Sequence, residues 1–277
     1  MPSLLDRLGH FIARQVSKPT SGYEPYAAAA PELVAMTIRP VDVLLVEGSR
    51  SRVSSSIRYL TQSTWSHAAL YVGLAAELGE RDGEPLVLVE AEIGKGVIAS
   101  PLSKYNTYNT RICRPVGLTS ADREKVIRYA VERIGYAYDL KNILDLIRFL
   151  LPHPPVPARW RRRMIALGSG DPTRAICSTL IAQAFEAVKY PILPLVERVD
   201  DESRQEILHI RHHSLYTPRD FDISPFFAVV KPTIEAGFDY RRLHWAADRG
   251  PVSEKGIMPG PGIGHEGETQ SEQILSA

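Results

Sequence analysis

The stretch SHAALYVGL at 66–74 carries a histidine, His67, at its second position and runs on as an almost unbroken apolar segment. PLVLVEAEI at 85–93 and GVIAS at 96–100 repeat the pattern, separated by polar or glycine-containing turns. Short apolar runs bounded by such turns are strands, and three in succession predict an antiparallel unit. Working outward, VDVLLVEG (41–48) is a buried strand between Pro40 and Gly48, NTRICRPVG (109–117) adds another, and FFAVVKP (226–232) is a late one. Elsewhere the apolar period is helical. TSADREKVIRYAVERIG (119–135) has a Thr or Ser cap, acids in its first turn and Gly135 at its stop. LKNILDLIRFLL (140–151) ends at Pro152, and a third helix runs from about 174 to Lys189, before Pro191. The expected class is α+β: a mostly antiparallel sheet with helices packed to one side.

Residues 1–30 read as an amphipathic helix (Leu4, Leu5, Leu8, Phe11, Ile12, Val16) followed by a turn-rich linker. A single domain is expected over 31–243, including a short helix in SRVSSSIRYLTQST, and 244–277 reads as a disordered tail rich in Gly, Pro, Ser and Glu. The 277 residues are 44% hydrophobic and 23% charged, with a formal net charge of +1. That balance argues against nucleic acid as the main partner, because phosphate binding needs a basic surplus. Two cysteines, Cys113 and Cys177, are too few for a disulfide framework, so a reducing compartment is expected. Charges interrupt every apolar run near the N-terminus, and no run reaches the roughly 18 residues of a membrane span. The expected location is cytoplasmic.

The chemistry turns on RAICSTLIAQAF (174–185). GSGDPT before it forms a turn, and Leu180, Ile181, Ala184, Phe185 and Val188 after it have helical spacing, so Cys177 falls in the first turn of a helix. Unpaired amides and the positive dipole end there favour a thiolate and can hold an oxyanion. On position alone, a buried structural cysteine is the better account. A base changes that. His67 stands at the mouth of an apolar strand, where an unpaired imidazole is costly. Glu90 follows the run Val87–Val89 and needs a partner too. Thiol, base and orienting carboxylate are the parts of an activated nucleophile. Glu92 shares a strand face with Glu90 and is the other candidate; burial behind the apolar run favours Glu90.

Taken together and in order, IRPVDVLLVEG, IRYLTQSTWSHAALYVG, VLVEAEIGKGVIASPLSKY, RIGYAYDL, ICSTLIAQAF and YTPRDFDISPFFAVVKP resemble the circularly permuted NlpC/P60 papain-like enzymes, the YiiX/YebB-type cysteine hydrolases. The resemblance covers about residues 38–232. It implies a permuted papain-like fold in which the histidine precedes the cysteine in the chain, with Cys177 as nucleophile, His67 as base and a polar third member at Glu90. The family's Gly-Asp opening of the first strand is Val41-Asp42 here, a departure that touches a turn rather than the chemistry. The implied activity is hydrolysis of an amide or ester through an acyl-enzyme, on a peptide-like substrate or, as some permuted relatives do, an acyl lipid. No metal or organic cofactor is implied.

Other features carry plainer readings. Tyr138 and Asp139 match the family's Tyr-Asp pair and line a substrate site or merely join two helices. Cys113, in a strand without a neighbouring histidine, is structural. HIRHH offers His209, His212 and His213 without a cysteine or carboxylate at ligand spacing, and reads as a solvated loop. GSG at 168–170 lacks the lysine and spacing of a phosphate loop. The segment 140–163 combines an apolar helix face with Trp160, Arg159 and Arg161–Arg163; it reads as a packed helix with a basic loop, and its rival reading is a peripheral contact with anionic lipid.

Overall fold

A computed structural model describes residues 29–48, 63–92, 95–136, 177–198, 206–209, 213 and 216–242. The expectations for the N-terminal helix, the helix after Gly48, Tyr138, Asp139, segment 140–163, residues 168–170, His212 and the tail beyond 243 lie outside these residues. By compactness the chain divides into residues 1–238 and 239–277. Of the second unit, the described part carries one 3₁₀ turn, Tyr240–Arg242.

The first unit is α+β, with a mostly antiparallel open sheet and a few helices. Its strands are β1 (Val43–Val46), β2 (His67–Tyr71), β3 (Glu80–Arg81), β4 (Glu84–Glu92), β5 (Gly96–Pro101), β6 (Thr110–Pro115) and β9 (Phe227–Val230). They lie in the order β3-β4-β2-β1-β6-β9, with β5 also paired to β4. A separate hairpin joins β7 (Leu195–Arg198) to β8 (Glu206–His209), so His209 closes a strand rather than standing in a loop.

β1 explains the layering. All four of its residues are buried, because an uninterrupted apolar run suits a strand covered on both faces. Val43 and Leu45 join a core with Ala68, Leu70, Val126, Ala130, Leu180, Ile181 and Phe185. Those residues include the inward faces of helices α2 (Ser120–Val131) and α3 (Cys177–Glu186). Leu44 and Val46 turn the other way, onto a second core with Ala69, Ile112, Val34 and Ile38. Val34 belongs to a short helix, α1 (Pro31–Thr37). Helices therefore cover both faces of the sheet, which corrects the expectation of packing to one side.

Local signals account for the element ends. Thr119 caps α2 by accepting the Asp122 amide at 3.1 Å, satisfying one of the four orphan donors. α3 is shorter than its apolar pattern, stopping at Glu186 before a turn in which Lys189 takes φ +55°. Among the described residues, no helix is long and apolar enough to cross a membrane.

The turn into β1 has an unusual occupant. Val41 adopts φ +75°, the left-handed region that a β-branched residue enters at a cost. This is the position where the resembled family carries glycine. Neighbouring bonds hold it there. Its amide donates to Tyr71 O at 2.7 Å and Tyr71 N returns a bond to Asp42 O at 2.9 Å. Buried Asp42 accepts from Arg39 N at 2.8 Å and from Arg114 Nη2 at 2.8 Å. Burial raises the Asp42 pKa in spite of the Arg114 guanidinium beside it.

Candidate active site

Three elements converge on one imidazole. His67 is the first residue of β2, Glu90 lies in β4, and Cys177 is the first described residue of α3. The start of β2 is fixed by its neighbours: Ser66 Oγ accepts the Gly48 amide at 2.9 Å and Trp65 Nε1 donates to Asp222 Oδ2 at 3.0 Å. Asp222 also receives Arg111 at 2.6 Å, whose guanidinium lies 5.0 Å from the centre of the Trp65 ring. The start of α3 is pinned by Ser178 Oγ, which donates to Tyr216 O at 2.7 Å. Cys177 and His67 are therefore both carried on regular elements.

His67 Nε2 lies 2.6 Å from Glu90 Oε2, and the Cys177 thiol stands beside the same imidazole, close enough for each to shift the titration of the other. With Nε2 committed to the carboxylate, Nδ1 is the nitrogen left for sulfur. Cys177 is only 4% exposed. The backbone amides of Ala68 and Ser178 stand near its sulfur and favour the thiolate.

The electrostatics follow from this packing. Burial pushes the Cys177 thiol up, but the hydrogen bond and charge of His67, with the two amides, outweigh it and bring the thiol below its ordinary 9.0. Burial also disfavours a charged His67; its contacts with Cys177 and then Glu90 overcome that and raise it from 6.5 to about 10. Glu90 is held far below the usual carboxylate range: burial opposes this, and His67 and Lys104 prevail. The geometry thus favours a thiolate–imidazolium pair.

Glu90 and Glu92 differ clearly in burial and partners. Pairing of Leu70 with Val89 and Tyr71 with Leu88 sets the β2–β4 register. Extended toward the strand ends, that register would set Glu92 opposite His67 and Glu90 opposite Ala69. Hydrogen-bonded pairing stops at Leu70, however, and Glu90 reaches His67 along the diagonal, a separation that long side chains span. Glu90 is fully buried, whereas Glu92 is 22% exposed and pairs with Lys95 at 2.6 Å.

Two residues at this site escaped the sequence reading. Lys104 and Tyr105 lie in a 3₁₀ turn, Leu102–Tyr105, directly after β5. Lys104 Nζ is 2.5 Å from Glu90 Oε1 and also bonds Glu92; the Tyr105 hydroxyl donates to Glu90 Oε2. The available signal was the need of a buried carboxylate for a cation, with SKY following the strand that pairs with VEAE.

Cys113 lies buried in β6, and burial, reinforced by Asp222, lifts its thiol to about 12. That is the environment of a structural cysteine. His213 Nδ1 is 3.2 Å from Glu186 Oε2, so a carboxylate that sequence spacing did not reveal stands beside the histidine run. Among the described residues, no group of three or more His, Cys, Asp or Glu is arranged to hold a metal ion. Compared with models of known protein families and with curated proteins, the chain matches none.

Proposed function

We propose that this chain is a cysteine hydrolase of the circularly permuted NlpC/P60 papain-like type, cleaving an amide or ester through an acyl-enzyme on Cys177. One observation carries the reading: His67 stands between the Cys177 thiol, whose ionisation it favours, and a buried carboxylate, Glu90, which lies 2.6 Å from Nε2. The chain order His67, Glu90, Cys177 and the α+β architecture are in keeping with it.

The reaction follows from the charges at rest. The Cys177 thiolate attacks the substrate carbonyl carbon, forming a C–S bond and an oxyanion. Backbone amides beside Cys177 stabilise that oxyanion. Imidazolium gives its proton to the leaving nitrogen or oxygen as the bond to carbon breaks. Neutral His67 then takes a proton from water, whose oxygen attacks the thioester and expels the thiolate with the acid product. The ion pair is regenerated. Throughout, Glu90 orients the ring and stabilises its charged form.

The same triad would serve a lipid acyl hydrolase or acyltransferase at a membrane surface, and a non-catalytic module could retain the fold. A small activated ester such as p-nitrophenyl acetate separates enzyme from module. Turnover should be abolished in Cys177→Ala while its circular dichroism matches wild type; equal turnover in both would reject the reading. Sedimentation with anionic vesicles that weakens as salt rises identifies the lipid case.

A further inference from the structure

We infer that Lys104 and Tyr105 are positioning residues for the Cys177–His67 pair, acting through Glu90; the inference rests on the hydrolase reading above. Glu90 is fully buried, and a buried carboxylate stays ionised only while cations and donors face it. His67 cannot supply that charge continuously, because in each turnover it passes its proton to the leaving group and becomes neutral. Lys104 supplies a charge that does not come and go. Its ammonium sits 2.5 Å from Oε1, while His67 and Tyr105 both bond Oε2. One oxygen is thereby reserved for the lysine and the other for the imidazole, which fixes the rotation of the carboxylate about its terminal bond. Lys104 also bridges to Glu92. That second contact neutralises a like charge on the same strand face, which would otherwise push a proton onto Glu90.

Both residues come from a single turn. The 3₁₀ segment Leu102–Tyr105 follows β5, and β5 pairs with β4 so that Glu90 faces Ile98. The hairpin therefore carries the carboxylate and both of its supports as one unit. The Tyr105 ring lies 6.0 Å from the His67 ring and buries it from the side. Burial and the Glu90 charge hold the Tyr105 hydroxyl protonated far into alkaline pH, so it remains a donor throughout the working range.

The test is the pH dependence of Cys177 alkylation by iodoacetamide, which reads the thiolate without requiring any substrate. In the wild type the acidic limb should lie well below an ordinary thiol titration. Lys104→Met lets Glu90 take up a proton at higher pH, so the imidazolium loses its partner and the acidic limb should move up by about one pH unit or more. Lys104→Arg should restore it, and Tyr105→Phe should move it the same way by less. If Lys104→Met fails to fold, judged by circular dichroism, Lys104→Gln and Tyr105→Phe decide the matter. A wild-type limb at low pH that stays in place in every folded Lys104 and Tyr105 variant would overturn this inference and leave the hydrolase reading standing. A wild-type rate that rises only near pH 8.5 would overturn both.

Discussion

The two cysteines are both buried, and only their neighbours set them apart. Cys113 has its thiol pushed to about 12 by burial, while Cys177 is brought down by His67. At pH 6, iodoacetamide should therefore label Cys177 much faster than Cys113, and equal rates would mean that no activated pair exists. Glu90 and Glu92 share Lys104 but differ in burial and in contact with His67, which only Glu90 bonds. Glu90→Gln should lower kcat by a factor on the order of ten to a thousand, because the carboxylate stabilises a charge that matters in the transition state. Glu92→Gln should stay within a few-fold of wild type in the same steady-state assay, and the reverse ranking would remove Glu90 from its role. His67 and Glu90 stood out in the sequence because each interrupts an apolar strand, and Cys177 because a turn precedes it and a helical pattern follows it. Lys104 did not, since a lysine after a strand is ordinary until the β4–β5 register brings it against Glu90.

At the scale of elements, the strands announced themselves where apolar runs were long and turns were marked. The run VLLV even carried its two-sided burial openly. What sequence did not resolve was short. α1 has seven residues, too few to show a helical period, and β7 and β8 have four each. Missing α1 is also why the second face of the sheet was left uncovered in the sequence-based expectation. The Val41 turn gives an energetic test. Val41 and Val43 are both fully buried in the same core, so replacing either by glycine removes the same side chain. Only Val41 gains from glycine's freedom at φ +75°. Val41→Gly should therefore cost about 1–2 kcal/mol less than Val43→Gly in urea denaturation. Equal costs would show that the turn stores no strain.

Across the whole molecule, the active-site ion pair should leave a mark on stability. The His67 contribution is complete below its ordinary 6.5 and disappears as pH rises through about 10. The Cys177 contribution runs oppositely: complete above 9.0 and lost as pH falls through its lowered value. The two trends oppose each other, so their sum is greatest at intermediate pH and falls off towards acid, where the thiol regains its proton, and towards alkali, where His67 loses its own. The gap in Tm between wild type and His67→Gln should follow that shape, and a gap that widens steadily with pH would contradict the pair. The overall class was legible because strands alternate with turns from Val43 to Pro115, while the convergence of three distant elements on one imidazole needed the sheet order. The central claim is that Cys177 becomes acylated with His67 as its base. Intact-mass spectrometry after brief incubation with candidate peptide-like and lipid acyl donors tests it most directly. The account predicts an acyl adduct that maps to Cys177, is absent in Cys177→Ala and forms far more slowly in His67→Gln; adduct formation at the same rate in His67→Gln, or on another residue, would contradict it.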